Sequence, residues 1–227
     1  MKGKRLIVIF IVLVLVMLKL IFNIITNYII ISQYNNGQYL EKQSKLLTYI
    51  NFQQRYVANY NYGNICYKNG KYEEAIEQYK KALNYRVPKY KECKIRINYA
   101  LAICKTVELN EADSKSIEDA IKKYENAIDI LTQNYCANKN DNNGHSQEAE
   151  QLKKDIKKEI ERLKKLQKDN NKSQDNKKDE NNTKNEENNT IENQIKKEKE
   201  EAIKEQREME NKFRKYNNEY NYDKKNW

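Results

Sequence analysis

A recurring spacing of small and aromatic residues constrains this chain more than any other feature. "EAIEQYKKAL" at 74–83 and "DAIKKYENAI" at 119–128 align Ala75 with Ala120, Tyr79 with Tyr124 and Ala82 with Ala127. Offsets of three, four and seven residues put these positions on one face of a helix. A face that alternates alanine with tyrosine leaves room for a second helix at close range. Just upstream, "YGNICYKNG" sets Gly63 inside a helical pattern, where glycine costs about 1 kcal/mol relative to alanine. Such a glycine makes sense where another helix crosses against its missing side chain.

The chain has 227 residues, of which 33% are charged, with five Gly and one Pro. That composition offers little for β-turns and predicts an all-α protein. From Tyr34 to Leu166 apolar positions recur at helical spacing, with breaks at "KNGK", "RVPKYK", around "LNEADSKS" and at "NKNDNNGH". Over 57–88 the order is helix, turn at Asn69 and Gly70, helix, then Pro88, a unit of the size of a roughly 34-residue repeat. A second copy joins "INYALAIC" at 97–104 to "DAIKKYENAIDIL" at 119–131 through a loop about eight residues longer. "SQEAEQLKKDIKKEIERLKKLQ" then reads as one amphipathic helix, with Leu152, Ile156, Ile160 and Leu163 on one side and charge elsewhere, suited to cap the open end of a stack.

Gly63, Tyr67, Gly70, Tyr72, Ala75, Tyr79 and Ala82 resemble the pattern of the tetratricopeptide repeat, with Pro88 one residue late and Asn59, followed by Tyr60, at the opening aromatic position. In the second copy Ala100 replaces the glycine. The resemblance implies that the first helix of each unit lines a concave protein-binding groove. The candidate groove residues are then Tyr60, Asn64, Tyr67 and Lys68 in the first unit, with Val57 beside them, and Lys94 and Asn98 in the second, with Leu101 and Lys105. Asn64 and Asn98 match two positions of the clamp with which some members hold a terminal carboxylate. Tyr60 stands where its first lysine would be and no third full unit follows, so a complete clamp is not expected.

Residues 1–32 open with Lys2, Lys4 and Arg5, carry no acidic residue, and run apolar from Leu6 to Leu18 before Lys19. That stretch would span only about 20 Å as a helix, but extension to Thr26 gives about 31 Å, enough for a hydrocarbon core of roughly 30 Å. Lys19 then lies past the midpoint and can run its stem to the far headgroups. A cleaved signal peptide would want small residues after the apolar stretch, whereas "NIITNYIIIS" is mostly bulky, so the sequence favours a single-pass anchor. The basic amino-terminal flank favours that end inside and the helical domain outside.

Net charge is +10, spread as +4 over 1–32, +3 over 33–85, +4 over 86–168 and −1 over 169–227. No concentrated basic block marks a nucleic-acid binder. Cys66, Cys93, Cys104 and Cys136 all lie in the helical region and permit three connectivities. Cys93 at the start of one helix and Cys136 just past the end of its antiparallel neighbour are the preferred pair, while Cys66 and Cys104 read as buried small hydrophobes. No cysteine–histidine set suits zinc, and His145, the only histidine, reads as an exposed loop residue. No phosphate loop or nucleophile elbow is present, and the carboxylates alternate with lysines as on a solvated helix face. The expectation is a protein without catalytic activity, cofactor or metal.

Residues 169–193 hold no aromatic and one aliphatic residue and read as a disordered tether. Residues 194–227 regain helical charge pairing over "IKKEKEEAIKEQREMENKFRK" and end with Tyr216, Tyr220, Tyr222 and Trp227, either an aromatic binding motif or a tyrosine-rich composition running on. The layout of anchor (1–32), helical domain (33–168), tether and aromatic tail, with "KECKIRINYALAIC" and "LTQNYCANKNDNNGHSQEAEQLKKDI", resembles BatC-like proteins. These are bacterial membrane-associated tetratricopeptide proteins encoded beside MoxR-type ATPases and von Willebrand factor A domain proteins. The resemblance implies a scaffold for a von Willebrand factor A partner at the cell membrane. A second function compatible with the sequence is an envelope protein whose charged tail binds wall polymer or anionic lipid headgroups.

Overall fold

The computed structural model describes residues 2–51 and 54–175, together with positions 204, 207, 208 and 211. The described residues form seven α-helices and no strand: α1 (Lys2–Asn35), α2 (Glu41–Ile50), α3 (Arg55–Lys68), α4 (Tyr72–Leu83), α5 (Lys89–Lys105), α6 (Ser114–Thr132) and α7 (Gln147–Asp175). The all-α expectation holds. The chain divides into two compact units, the first ending at Pro88 and the second beginning at Lys89.

In the first unit α1 is one uninterrupted helix. Its large side chains from Leu6 to Leu18 are exposed, whereas Ile30 and Tyr34 in its last turns are buried. Those two residues form a core cluster with Leu47 of α2 and Ala58 and Ile65 of α3, with Tyr39 and Ile50 packed against it. The sequence pattern does not separate α2 from its neighbours, because ten residues with two buried positions, Ser44 and Leu47, give too short a period to stand out. Lys71 closes this end of the unit by an ion pair of 2.7 Å to Glu41, which holds the Glu41 carboxyl below its ordinary range.

The α3–α4 hairpin is where the small residues act. Gly70, at φ +74°, ends α3: its N–H donates to the carbonyl of Tyr67, and the N–H of Lys71 to that of Cys66. This pair of bonds satisfies carbonyls that a helix end would otherwise orphan, through a left-handed residue that glycine adopts without strain. Ala75, Tyr79 and Ala82 are fully buried on α4. A Cβ on Gly63 would lie 2.7 Å from Cε1 of Tyr79, so the tyrosine ring occupies the space left by the absent side chain. Tyr79 OH donates to Asn64 Oδ1 at 2.9 Å, and Tyr62 OH to Glu74 Oε1 at 2.5 Å.

In the second unit, Ile117, Ala120, Ile121, Tyr124, Ala127 and Leu131 form the buried stripe of α6, which packs against both α5 and α7. Asp113 caps α6 by accepting from the N–H of Lys115. On α7, Ala149, Leu152, Ile156, Ile160 and Leu163 are buried as the apolar period requires, but Lys153, Asp155 and Glu159 are buried as well. The expectation that charge on this helix stays in solvent is corrected here, and the reason is pairing. Glu159 takes two hydrogen bonds from Arg162, which also pairs with Glu111 at 2.8 Å, and Asp155 accepts from Gln151. Helix α7 also continues through 169–175, into the segment read from sequence as tether, where Asn170 Nδ2 donates to the carbonyl of Glu111 at 2.7 Å. The rest of that segment lies outside the described residues.

The loop between α6 and α7 winds about Glu150 and Lys153. Glu150 Oε1 accepts from the N–H groups of Asn138 (2.5 Å) and Gly144 (2.8 Å). Lys153 Nζ lies 2.6 Å from Glu150 Oε2 and donates to the carbonyls of Asn138 and Asp141. Burial alone would raise the Glu150 pKa, but the two N–H donors and the ammonium outweigh it and leave it lowered.

Two predictions follow from these contacts. Gly63→Ala should destabilise the hairpin: overpacking costs about 1–3 kcal/mol, against roughly 1 kcal/mol gained in helix propensity, because the bonded Tyr79 ring cannot swing away. Thermal melts followed by circular dichroism should show a lowered midpoint, and a raised one would contradict the packing. A lowered folded pKa means that Glu150 adds its stability above its ordinary value of 4.5 and loses it as pH falls through the folded value. Glu150→Gln should therefore lower the midpoint at neutral pH and reduce the loss of stability on acidification, as a series of melts from neutral to acid pH would show.

Candidate functional site

Helix α3 is buried continuously from Ala58 to Tyr67, although its sequence alternates tyrosine and asparagine with few aliphatic residues. Two of its sides are assigned by contact. Ala58 and Ile65 face the cluster with Leu47 of α2, while Tyr62, Gly63 and Tyr67 meet α4. At 100° per residue, the remaining side carries Val57, Asn61, Asn64 and Lys68. Val57 and Lys68 are half-buried there, and burial lowers the pKa of the Lys68 ammonium. Asn61 is 5% exposed, and its Oδ1 has no hydrogen-bond partner among the described residues.

The structure places the candidate groove residues as follows. Tyr60 packs on Tyr79, with ring centroids 6.0 Å apart, and Tyr67 meets Tyr72 edge to face at 5.3 Å. Both rings are buried. Asn64 is buried and accepts from Tyr79, so it lies on the third side of α3 and is tied to α4 as well. Lys94 and Asn98 lie on α5 in the second unit, Lys94 half-buried and Asn98 buried. Asn61 was not singled out from the sequence. Its signal was present in the spacing 57, 61, 64, 68, one stripe of α3. Tyr216, Tyr220, Tyr222 and Trp227 lie outside the described residues.

At the start of α5 the structure joins Cys93 to Cys136, with Cα atoms 5.2 Å apart. Neighbouring polar groups converge on the same place. Glu92 Oε1 accepts from Nε and Nη2 of Arg96 and from Asn134 Nδ2, and Arg96 Nη1 donates to Gln133 Oε1 at 2.6 Å. Arg96 is 7% exposed. Neither it nor Glu92 stood out in the sequence, where both read as ordinary members of a charged helix.

Cys66 and Cys104 are buried thiols. Burial, with the Glu74 charge adding to it, pushes Cys66 up to about 12, and burial raises Cys104 as well. Both therefore stay protonated near neutral pH and are poor nucleophiles. Burial, then the bond to Glu74, raises the Tyr62 phenol, and burial raises that of Tyr79. His145 is exposed beside Tyr135, with ring centroids 6.2 Å apart. Among the described residues no group of three or more His, Cys, Asp or Glu is placed to hold a metal ion.

The hairpin geometry can be compared with known families. Residues 63–86 match the TPR repeat. The match runs from Gly63 through the rest of α3 and all of α4 to Arg86, the segment in which Tyr79 fills the space beside Gly63. TPR repeats are in general protein-interaction modules rather than catalytic ones. No curated protein and no solved structure matches the chain.

The disulfide closes a sequence separation of 43 residues, for which the chain-entropy relation gives about 4 kcal/mol. Cys93→Ser should lower the thermal midpoint in non-reducing buffer and abolish the further drop that dithiothreitol causes in the parent. A variant with an unchanged midpoint would show that the bond adds no stability.

Proposed function

We propose that the chain is a non-enzymatic, membrane-anchored scaffold that binds another protein through its TPR-type helices. The observation that carries this reading is the α3–α4 hairpin, which matches the TPR repeat and packs as that repeat requires. The long apolar α1 supports the anchor: Gly3–Asn35 is long and apolar enough to cross a membrane. Its last turns also supply Ile30 and Tyr34 to the core of the first unit, a role that removal of the helix as a leader would abolish. The amino terminus is assigned to the inside of a bacterial cell membrane and the two helical units to the outside, where a disulfide persists.

Partner contact is assigned to Tyr60, Asn64, Tyr67 and Lys68 on α3 and to Lys94 and Asn98 on α5. The partner is proposed to be a membrane protein with a von Willebrand factor A domain, as the BatC-like layout implies. The aromatic end, Tyr216, Tyr220, Tyr222 and Trp227, is proposed as a second contact.

Affinity purification of the full chain from detergent-solubilised membranes, with Lys68→Glu and Lys94→Glu and with deletion of 216–227, tests both surfaces. The expected result is co-purification of a von Willebrand factor A domain protein that falls at least about tenfold in the lysine variant, a change of roughly 1.4 kcal/mol. Undiminished recovery in both variants would contradict the proposed contacts.

A further inference from the structure

The outward face of α2 takes no part in the packing of the first unit. Its buried side is Ser44 and Leu47. The opposite side carries Lys42, Lys45, Leu46 and Tyr49, spaced i, i+3, i+4 and i+7 and therefore on one helical face. Lys42 and Lys45 are exposed, Leu46 is 48% exposed and Tyr49 66% exposed. The only acidic residue of α2, Glu41, is bound by Lys71, which leaves the face with two positive charges beside an apolar and an aromatic side chain.

The core places this face beside the last turns of α1. Residues 36–40 join the two helices, and Tyr34 lies against Tyr39 with ring centroids 5.2 Å apart, so α2 begins beside the end of α1. Leu47 is six residues into α2, about 9 Å along it, and it clusters with Ile30, five residues or about 7.5 Å back from Asn35. Helix α2 thus starts at the end of α1 and shares a core with its last turns, a few residues beyond Thr26. Thr26 is where the apolar span reaches the length of a hydrocarbon core. Tyr28, 72% exposed on α1, lies at the same level.

We propose that this face of α2 rests on the lipid headgroups beside the span, with Lys42 and Lys45 on anionic phosphates and Leu46 and Tyr49 entering the interface. The proposal depends on α1 spanning the membrane. Tyrosine rings favour the headgroup level, and each lysine near an anionic surface adds attraction. In that position the exposed Leu46 and Tyr49 are covered. The first unit is also held at a fixed height by two points of attachment, the span and α2, rather than by a swivel about one helix.

The test places the full chain, with Trp227→Phe and Tyr49→Trp, in phosphatidylcholine vesicles with and without about one third phosphatidylglycerol. The indole at position 49 should be quenched by lipids brominated at shallow acyl carbons. It should also be about tenfold less accessible to acrylamide in the anionic vesicles than after Lys42→Glu and Lys45→Glu are added, with unchanged far-UV circular dichroism. Free quenching by acrylamide in both vesicle types would overturn the proposal. Shielding from acrylamide without bromine quenching would overturn it too, showing that protein covers the face. Alkaline carbonate extraction separates the two readings. Release of the protein overturns the anchor and this proposal together, whereas retention with a water-exposed indole overturns this proposal alone.

Discussion

The close approach of α4 to α3 at Gly63 is the contact on which the first unit is built. A Cβ at that position would stand 2.7 Å from the Tyr79 ring, so the ring or the helix would have to shift. Because the ring fills that space, its hydroxyl reaches Asn64, and Ala75 and Ala82 can sit fully buried at either side of it. With α4 on one side and α2 on another, α3 carries Val57, Asn61, Asn64 and Lys68 on its remaining side, where both asparagines are buried and Val57 and Lys68 half-buried. Val57 and Lys68 are therefore the accessible part of the proposed recognition surface.

The second unit is held by a different device. Its apolar stripes are regular, but the turn from α6 to α7 is organised by charge: Glu150 gathers two backbone N–H groups, and Lys153 fills the centre of the loop with three oxygen contacts. Arg96 and Glu92 play a corresponding part at the same end of the unit, where the start of α5 meets the end of α6 beside the Cys93–Cys136 bond. Buried pairs of this kind add little stability over an apolar core, but leaving one partner alone is costly, so they fix one loop conformation against alternatives.

Much of this was legible in the sequence. Helix-period stripes, the alanine–tyrosine spacing and Gly70 locate α3, α4 and α6, and the uninterrupted apolar run locates α1. What escaped is instructive. Helix α2 is short and has only two buried positions, so neither length nor period distinguishes it. The burial of Lys153, Asp155 and Glu159 could not be read, because on a helix rich in Glu and Lys a solvated ion pair and a buried one have the same spacing. Tyr60 and Tyr67 read as groove residues from the repeat pattern, yet their rings also pack against α4 through Tyr79 and Tyr72. Asn61 went unnoticed because the stripe 57, 61, 64, 68 does not show, in a chain with many asparagines, that this one is buried.

Native-state hydrogen exchange of the full chain in detergent micelles tests the central claim, that α3 and α4 are one cooperative body locked at Gly63 and Tyr79. The account predicts that backbone amides of Ile65–Tyr67 and of Tyr79–Ala82 exchange slowest among those of α2, α3 and α4 and with the same free energy, that of unfolding the hairpin as one body. Amides of α4 exchanging through local openings while those of α3 stay protected would contradict it.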